Sequence, residues 1–182
     1  NRKNYFFPDF CITLLAAGSV PTPPKALTST VPADYQAVAN AIRQLIKDTG
    51  ARSQEVNIAL PESQVFTRVI EMPQLSTREL SSAIQWEAEQ YIPLPLDQVN
   101  MDFTVLRESK ETGTNMMEVL LVASPKTLLE RYLSILELAD LTVVSAETEI
   151  IAASRSLARA AANVKTVLVV SLGAQTTDLA IL

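Results

Sequence analysis

The segment best equipped for chemistry is Ser171-Leu-Gly173-Ala-Gln-Thr176-Thr177-Asp178, a small hydroxyl-bearing turn between two apolar strands. Glycine in such a turn lets backbone N–H groups approach a phosphate, and threonine hydroxyls can hydrogen-bond phosphate oxygens or a metal-bound water. An ordinary hairpin with polar turn residues reads the same way, because one glycine discriminates weakly. Asp178 could meet a cation, but it equally fits a surface aspartate on an outgoing strand. Glu87 and Glu89 stand about 200° apart around a helix, so they face different directions and read as solvated carboxylates, not as a paired acid and base. Cys11 lies in an apolar run with no basic neighbour through Ala17, which leaves its thiol inert. The chain has no histidine, which removes the usual general base, proton shuttle and commonest metal ligand together. No catalytic or metal-binding residue is assigned.

The elements that position these residues belong to a globular chain. At 182 residues and 48% apolar content, it is long enough for one good core or two smaller ones. Fifteen Lys and Arg stand against twenty Asp and Glu, a net charge of −5, the wrong sign for nucleic acid or an anionic bilayer. The single cysteine permits no intrachain disulfide, which suits a reducing compartment, although a secreted protein without disulfides would read the same way. The longest apolar runs, Val119–Ala123 and Val167–Val170, fall far short of the ~20 residues that span a bilayer. Asn1–Phe10 carries no signal-peptide core, and a chain opening on Asn reads as a fragment of a longer protein.

Cys11–Ala17 reads as a short strand, followed by an extended loop broken by Pro21, Pro23 and Pro24. From Asp34, apolar residues at Ala37, Val38, Ala41, Ile42, Leu45 and Ile46 predict an amphipathic helix stopped by Gly50. Val56–Leu60 and Gln64–Met72 read as extended, separated by Pro61. Ser76-Thr-Arg-Glu79 has capping-box spacing and makes Ser76 an N-cap. Leu80, Ala83, Ile84, Ala88, Tyr91 and Ile92 then keep helical intervals until Pro93 and Pro95, which form a stiff link. Trp86 sits near the polar side of this helix. Its size favours a partly buried packing role over an interaction anchor. Val99–Val105 alternates cleanly, Gly113 marks a turn, and Met116–Ala123 returns as a strand. Ser124-Pro125 starts a helix with a stripe of Leu128, Leu129, Tyr132, Leu133, Ile135 and Leu136. A strand at Leu141–Ala146, a helix at Glu147–Ala162, and strands at Thr166–Val170 and Thr176–Leu182 complete the chain. Gln64–Ala123 thus forms a compact insert between flanking pieces, Cys11–Leu60 and Glu147–Leu182, that share one layer system.

The turn at 171–178 is similar to the second phosphate loop of the actin-like ATPases, and the middle of the chain narrows the choice. Ala59-Leu-Pro61, Thr67-Arg-Val-Ile-Glu-Met-Pro73 and Glu87-Ala-Glu-Gln-Tyr-Ile-Pro93-Leu-Pro95-Leu-Asp97 resemble the type IV pilus assembly PilM family. Val99–Leu106 and Glu118–Ala123 continue the match, which runs from about Ala33 to Leu182. The resemblance implies an α/β fold akin to actin and the division protein FtsA. In that frame 1–71 and 147–182 form an incomplete ribonuclease H-like lobe, and 72–146 an inserted α+β interaction subdomain of strand-helix-strand-strand order.

The same resemblance implies a cytoplasmic scaffold, peripheral to the inner membrane through its partners. Its partner would be the cytosolic N-terminal tail of a PilN-like membrane protein, held in a groove between lobe and insert, with other pilus assembly proteins as further partners. No groove residue is carried over. The family's phosphate-loop positions fall on Gly173, Ala174, Gln175, Thr176 and Thr177. Gly173 and Thr177 match, but Ala174 and Gln175 replace a second glycine, and Ser171 stands where an aspartate helps hold Mg²⁺. Asn1–Ala17 offers no counterpart of the first phosphate loop, and the adenosine-binding half would lie after Leu182. ATP and Mg²⁺ are therefore expected only of the full-length protein, and none for this chain alone. The alternative is an ATP-binding actin-like ATPase of this or an FtsA-like system.

Overall fold

The computed structural model describes residues 4–7, 10–25, 28–158, 164–173 and 176–181. The chain divides into two compact units, Pro61–Leu129 and the remainder, 1–60 with 130–182. The boundaries drawn from sequence, at 71/72 and 146/147, fall inside strands.

The Pro61–Leu129 unit is a three-stranded antiparallel sheet with one helix. A short 3₁₀ turn, Glu62–Gln64, precedes β4 (Phe66–Pro73). This strand follows three earlier ones: β1 (Asn4–Phe7), β2 (Phe10–Thr13) and β3 (Glu55–Leu60). Next come α2 (Thr77–Tyr91), β5 (Val99–Arg107), a helical turn α3 (Ser109–Thr112) and β6 (Met116–Pro125), with α1 (Pro32–Thr49) lying earlier in the chain. The sheet order is β4-β6-β5. As the central strand, β6 shows the strictest alternation. Met117, Val119, Leu121 and Ala123 are buried, while the residues between them are half-exposed. They meet Ile70 and Met72 of β4, Val99 of β5, Leu80, Ile84 and Ala88 of α2, and Ile92 at its C-cap, whose spacing of four puts them on one helix face. On the opposite sheet face, Glu71 is directly across from Glu118, a like-charge pairing that destabilises a sheet. Arg107, opposite Glu118 on β5, offsets it with an ion pair of 3.6 Å.

Ser76 caps α2 as its spacing predicts. Its hydroxyl accepts from the Glu79 N–H, and its own N–H donates to Glu79 Oε2 at 3.0 Å. The Ser76 hydroxyl and backbone hydrogen bonds hold the Glu79 carboxyl below the usual carboxylate range. Ser76→Ala is expected to destabilise this unit by about 1 kcal/mol in urea melts at neutral pH. A carboxyl depressed in the folded state contributes stability that is present above its unfolded pKa and lost as pH falls through its folded value. In the variant, the Glu79 carboxyl should titrate closer to the ordinary range when followed by NMR, and an unchanged titration would show that the capping box does not hold it.

In the other unit, α1 starts two residues earlier than Asp34 implies, with Pro32 in its first turn. Gly50 ends it in the left-handed conformation, φ 69°, its N–H bonded to Ile46 O at 3.0 Å. The buried face centres on Val38 and Ala39, while Ala37 is exposed. The helix α4 (Lys126–Leu138) supplies Ile135 and Leu136, and β7 (Thr142–Thr148) pairs in parallel with β3. Ala39 packs with Leu136, Ala139 and Leu141, flanked by Ile42, Ile46, Val56, Ile58 and Val143. Asp140, at φ 61°, turns the chain after α4, and the Leu141 N–H caps Leu136 O at 2.9 Å. Arg43 of α1 ties this turn down, pairing with Asp140 at 3.2 Å and donating to Leu138 O.

The helix α5 (Glu149–Ala158) and the hairpin β8 (Leu168–Leu172) and β9 (Thr177–Ile181) follow. Several expectations are corrected. The strand anticipated over Cys11–Ala17 stops at Thr13 and pairs with Asn4–Phe7, and Leu14 and Leu15 beyond it lie exposed. Pro125 ends β6 opposite Val99, where the strand end needs no N–H from it, and the expected helix opens at the next residue, Lys126. Glu147 and Thr148 belong to β7, where they extend the parallel pairing to Ala59 and Leu60. The remainder of the expected 147–162 helix beyond Ala158 lies outside the described residues.

Candidate functional site

The turn singled out for phosphate joins β8 and β9, with Ser171 opposite Asp178 and Leu172 opposite Thr177. Gly173 donates its N–H to Thr176 O at 2.9 Å. A Cβ at Gly173 would lie 3.0 Å from that carbonyl oxygen, so close approach of backbone to backbone is what glycine provides here. The amide is thereby engaged in closing the turn. Thr176 and Thr177 are exposed, and Ala174 and Gln175 lie outside the described residues. Of the described turn amides, that of Gly173 is thus turned to the chain's own carbonyl. No group of three or more metal-ligating side chains occurs among the described residues. Among them, too, no helix is long and apolar enough to cross a membrane.

The Pro61–Leu129 unit carries a different kind of feature at the C-terminal end of α2. Arg68 places its guanidinium 4.0 Å from the Tyr91 ring centroid, a cation–π stack. Beneath it lies a cavity of about 250 Å³, walled by Phe66, Thr67, Arg68, Tyr91, Ile92 and Leu121. Neither Arg68 nor the cavity was singled out from sequence. An arginine inside an apolar strand, with a tyrosine four residues past the helix's Glu87, was the available signal. Trp86 overturns its expected packing role: it is 68% exposed. Its position, two residues from both Ile84 and Ala88, turns it away from the buried face. Glu87 is half-buried and Glu89 exposed. Pro93 and Pro95 lie in the irregular link before a 3₁₀ turn, Leu96–Gln98, as their spacing implied.

These elements define an α/β protein whose parallel-paired lobe is interrupted in sequence by an antiparallel insert. The family model for type IV pilus assembly protein PilM matches residues 11–182, and the chain belongs to that family. A solved structure of the PilM-PilN type IV pilus biogenesis complex superposes with a TM-score of 0.82 at 30% identity. That match covers 92% of this chain and 51% of the other, so the chain spans about half the length of the protein it resembles. It also carries the actin-like fold across to this chain. The cytoplasmic domain of EpsL, an inner-membrane component of the type II secretion system of Vibrio cholerae, overlaps at TM-score 0.47 and 20% identity. That overlap covers 63% of this chain and 44% of that one.

Proposed function

We propose that the protein is a scaffold of the type IV pilus assembly platform, acting on the cytoplasmic side of the inner membrane. It would bind the cytosolic N-terminal tail of a PilN-like membrane protein. The observation that carries this reading is the superposition on the PilM-PilN complex over nearly the whole chain. The architecture supports it: the 61–129 unit has a core of its own. Membrane attachment would come through the partner.

Calorimetric titration of the purified chain with a synthetic peptide copying the cytosolic N-terminus of PilN from the same organism tests it. Saturable one-to-one binding is the expected outcome, and a folded chain that binds nothing would contradict the reading for these residues. Because the Gly173 amide is engaged within the turn, millimolar MgATP should leave the melting temperature of this chain unchanged. A ligand that binds the folded state must raise stability by mass action, so a concentration-dependent rise would establish nucleotide binding instead.

A further inference from the structure

We infer that the free edge of β4 takes an extended segment of the PilN-like tail as a fourth strand of the sheet. One apolar side chain of that segment enters the cavity beside Arg68 and Tyr91. This inference rests on the function proposed above and assigns the manner of docking within the 61–129 unit.

The sheet order β4-β6-β5 leaves two edges among the described residues, and they are not equivalent. On β5 the register shifts between Val105 and Arg107, an irregularity of the kind that spoils an edge for further pairing. β4 runs for eight residues, Phe66–Pro73, in unbroken register with β6. Its outer side, from Phe66 to Met72, presents the N–H and C=O of every second residue to no strand of the described chain. Such an edge recognises extended backbone.

What the edge selects comes from the side chains beside it. The register places Phe66, Arg68, Ile70 and Met72 across from Ala123, Leu121, Val119 and Met117, the buried positions of β6. Arg68 is therefore the one charged residue in the core-facing series of β4. Helix α2 stops at Tyr91, and there Arg68 lies exposed with its guanidinium 4.0 Å from the centroid of that ring. It makes no hydrogen bond or ion pair among the described residues. A ring contact uses the face of a guanidinium and leaves its in-plane N–H groups to donate. An inward-placed charge on an edge strand discourages indiscriminate pairing, so an added segment must bring an acceptor oxygen to Arg68.

Phe66, Thr67 and Arg68 all wall the cavity of about 250 Å³, so it lies against the β4 main chain, with buried Ile92 and Leu121 as its apolar floor. Side chains of an extended strand alternate, so a segment paired along β4 puts one into the cavity while the next points away. The occupant thus has three marks: extended backbone, an apolar side chain, and an oxygen within reach of Arg68.

The isotope-labelled 182-residue chain is titrated with the synthetic tail peptide while amide exchange is followed by NMR. Between Phe66 and Met72, every second N–H should exchange fast in the free chain and slowly in the complex. In calorimetry, N-methylation of successive peptide residues should alternate between loss of binding and near-full affinity, because only every second N–H of an added strand faces β4. One alanine replacement among the peptide's apolar residues should weaken binding at least about tenfold. Arg68→Ala should weaken it about tenfold, and circular dichroism checks that this exposed substitution keeps the fold. A tail that binds with unchanged exchange along β4, without that alternation, or with full affinity for Arg68→Ala overturns this inference and leaves the proposed function standing. A tail that does not bind at all overturns both.

Discussion

Ile84→Ala is expected to destabilise the 61–129 unit by about 2–5 kcal/mol, the range for deleting a buried aliphatic side chain whose surroundings cannot collapse. Ile84 has no exposed surface, and its neighbours across the interface, Met117 and Val119, are at 1% and 0%. The sheet side of that contact is the central strand, hydrogen-bonded on both edges, so it cannot move in to fill the void. Hydrogen exchange read by mass spectrometry gives the sharpest measurement. Protection should fall across Phe66–Pro73, Thr77–Tyr91 and Met116–Pro125, while Pro32–Thr49 keeps its protection. An equal loss over both regions would mean that the two units unfold as one, and a loss below about 1 kcal/mol would mean that the pocket relaxes around the smaller side chain.

Ala39→Leu tests the other core by the opposite perturbation. Ala39 is fully buried against Leu136, Ala139 and Leu141, where two alanines let α1 and the end of α4 approach closely. Leucine there must force a side chain off its rotamer or push the backbone aside, at about 1–3 kcal/mol. Alanine and leucine are both strong helix formers, so intrinsic propensity cannot account for such a loss. Ala37→Leu makes the identical change on the exposed side of the same helix and should shift the melting temperature little. If the two variants melt alike, the packing described around Ala39 is wrong.

Position 39 also shows where sequence reading reached its limit. The periodicity located α1 and its glycine stop correctly, yet it placed Ala37 on the apolar stripe and passed over Ala39. Alanine at both positions carries no hydropathy contrast, and only the neighbouring helix decides which one is covered. Elements whose signals are local came through well. The capping box at Ser76, the left-handed Gly50 and the proline link after Ile92 each satisfy a backbone requirement that a few residues determine. Pairing partners did not, because nothing near Cys11 announces that Asn4–Phe7 lies alongside, and nothing near Glu147 announces a parallel partner about ninety residues earlier. At the sites, Gly173 was legible as a turn glycine, but the hydrogen bond that engages its amide was not. Trp86 illustrates a different failure: its place opposite Ile84 was visible in the spacing, and the general tendency of tryptophan to bury prevailed over it.

The parallel ladder between Glu55–Leu60 and Thr142–Thr148 carries a kinetic consequence. During synthesis β3 emerges long before its partner, and the strand must wait for everything between them. The intervening Pro61–Leu129 unit contains all three of its own strands and its helix, so it can complete its core while the ribosome is still making α4. Once folded, it turns most of a long flexible connection into a rigid body, leaving far less chain entropy to be lost when β7 arrives. Assembly of the lobe is therefore gated by an insert that finishes first.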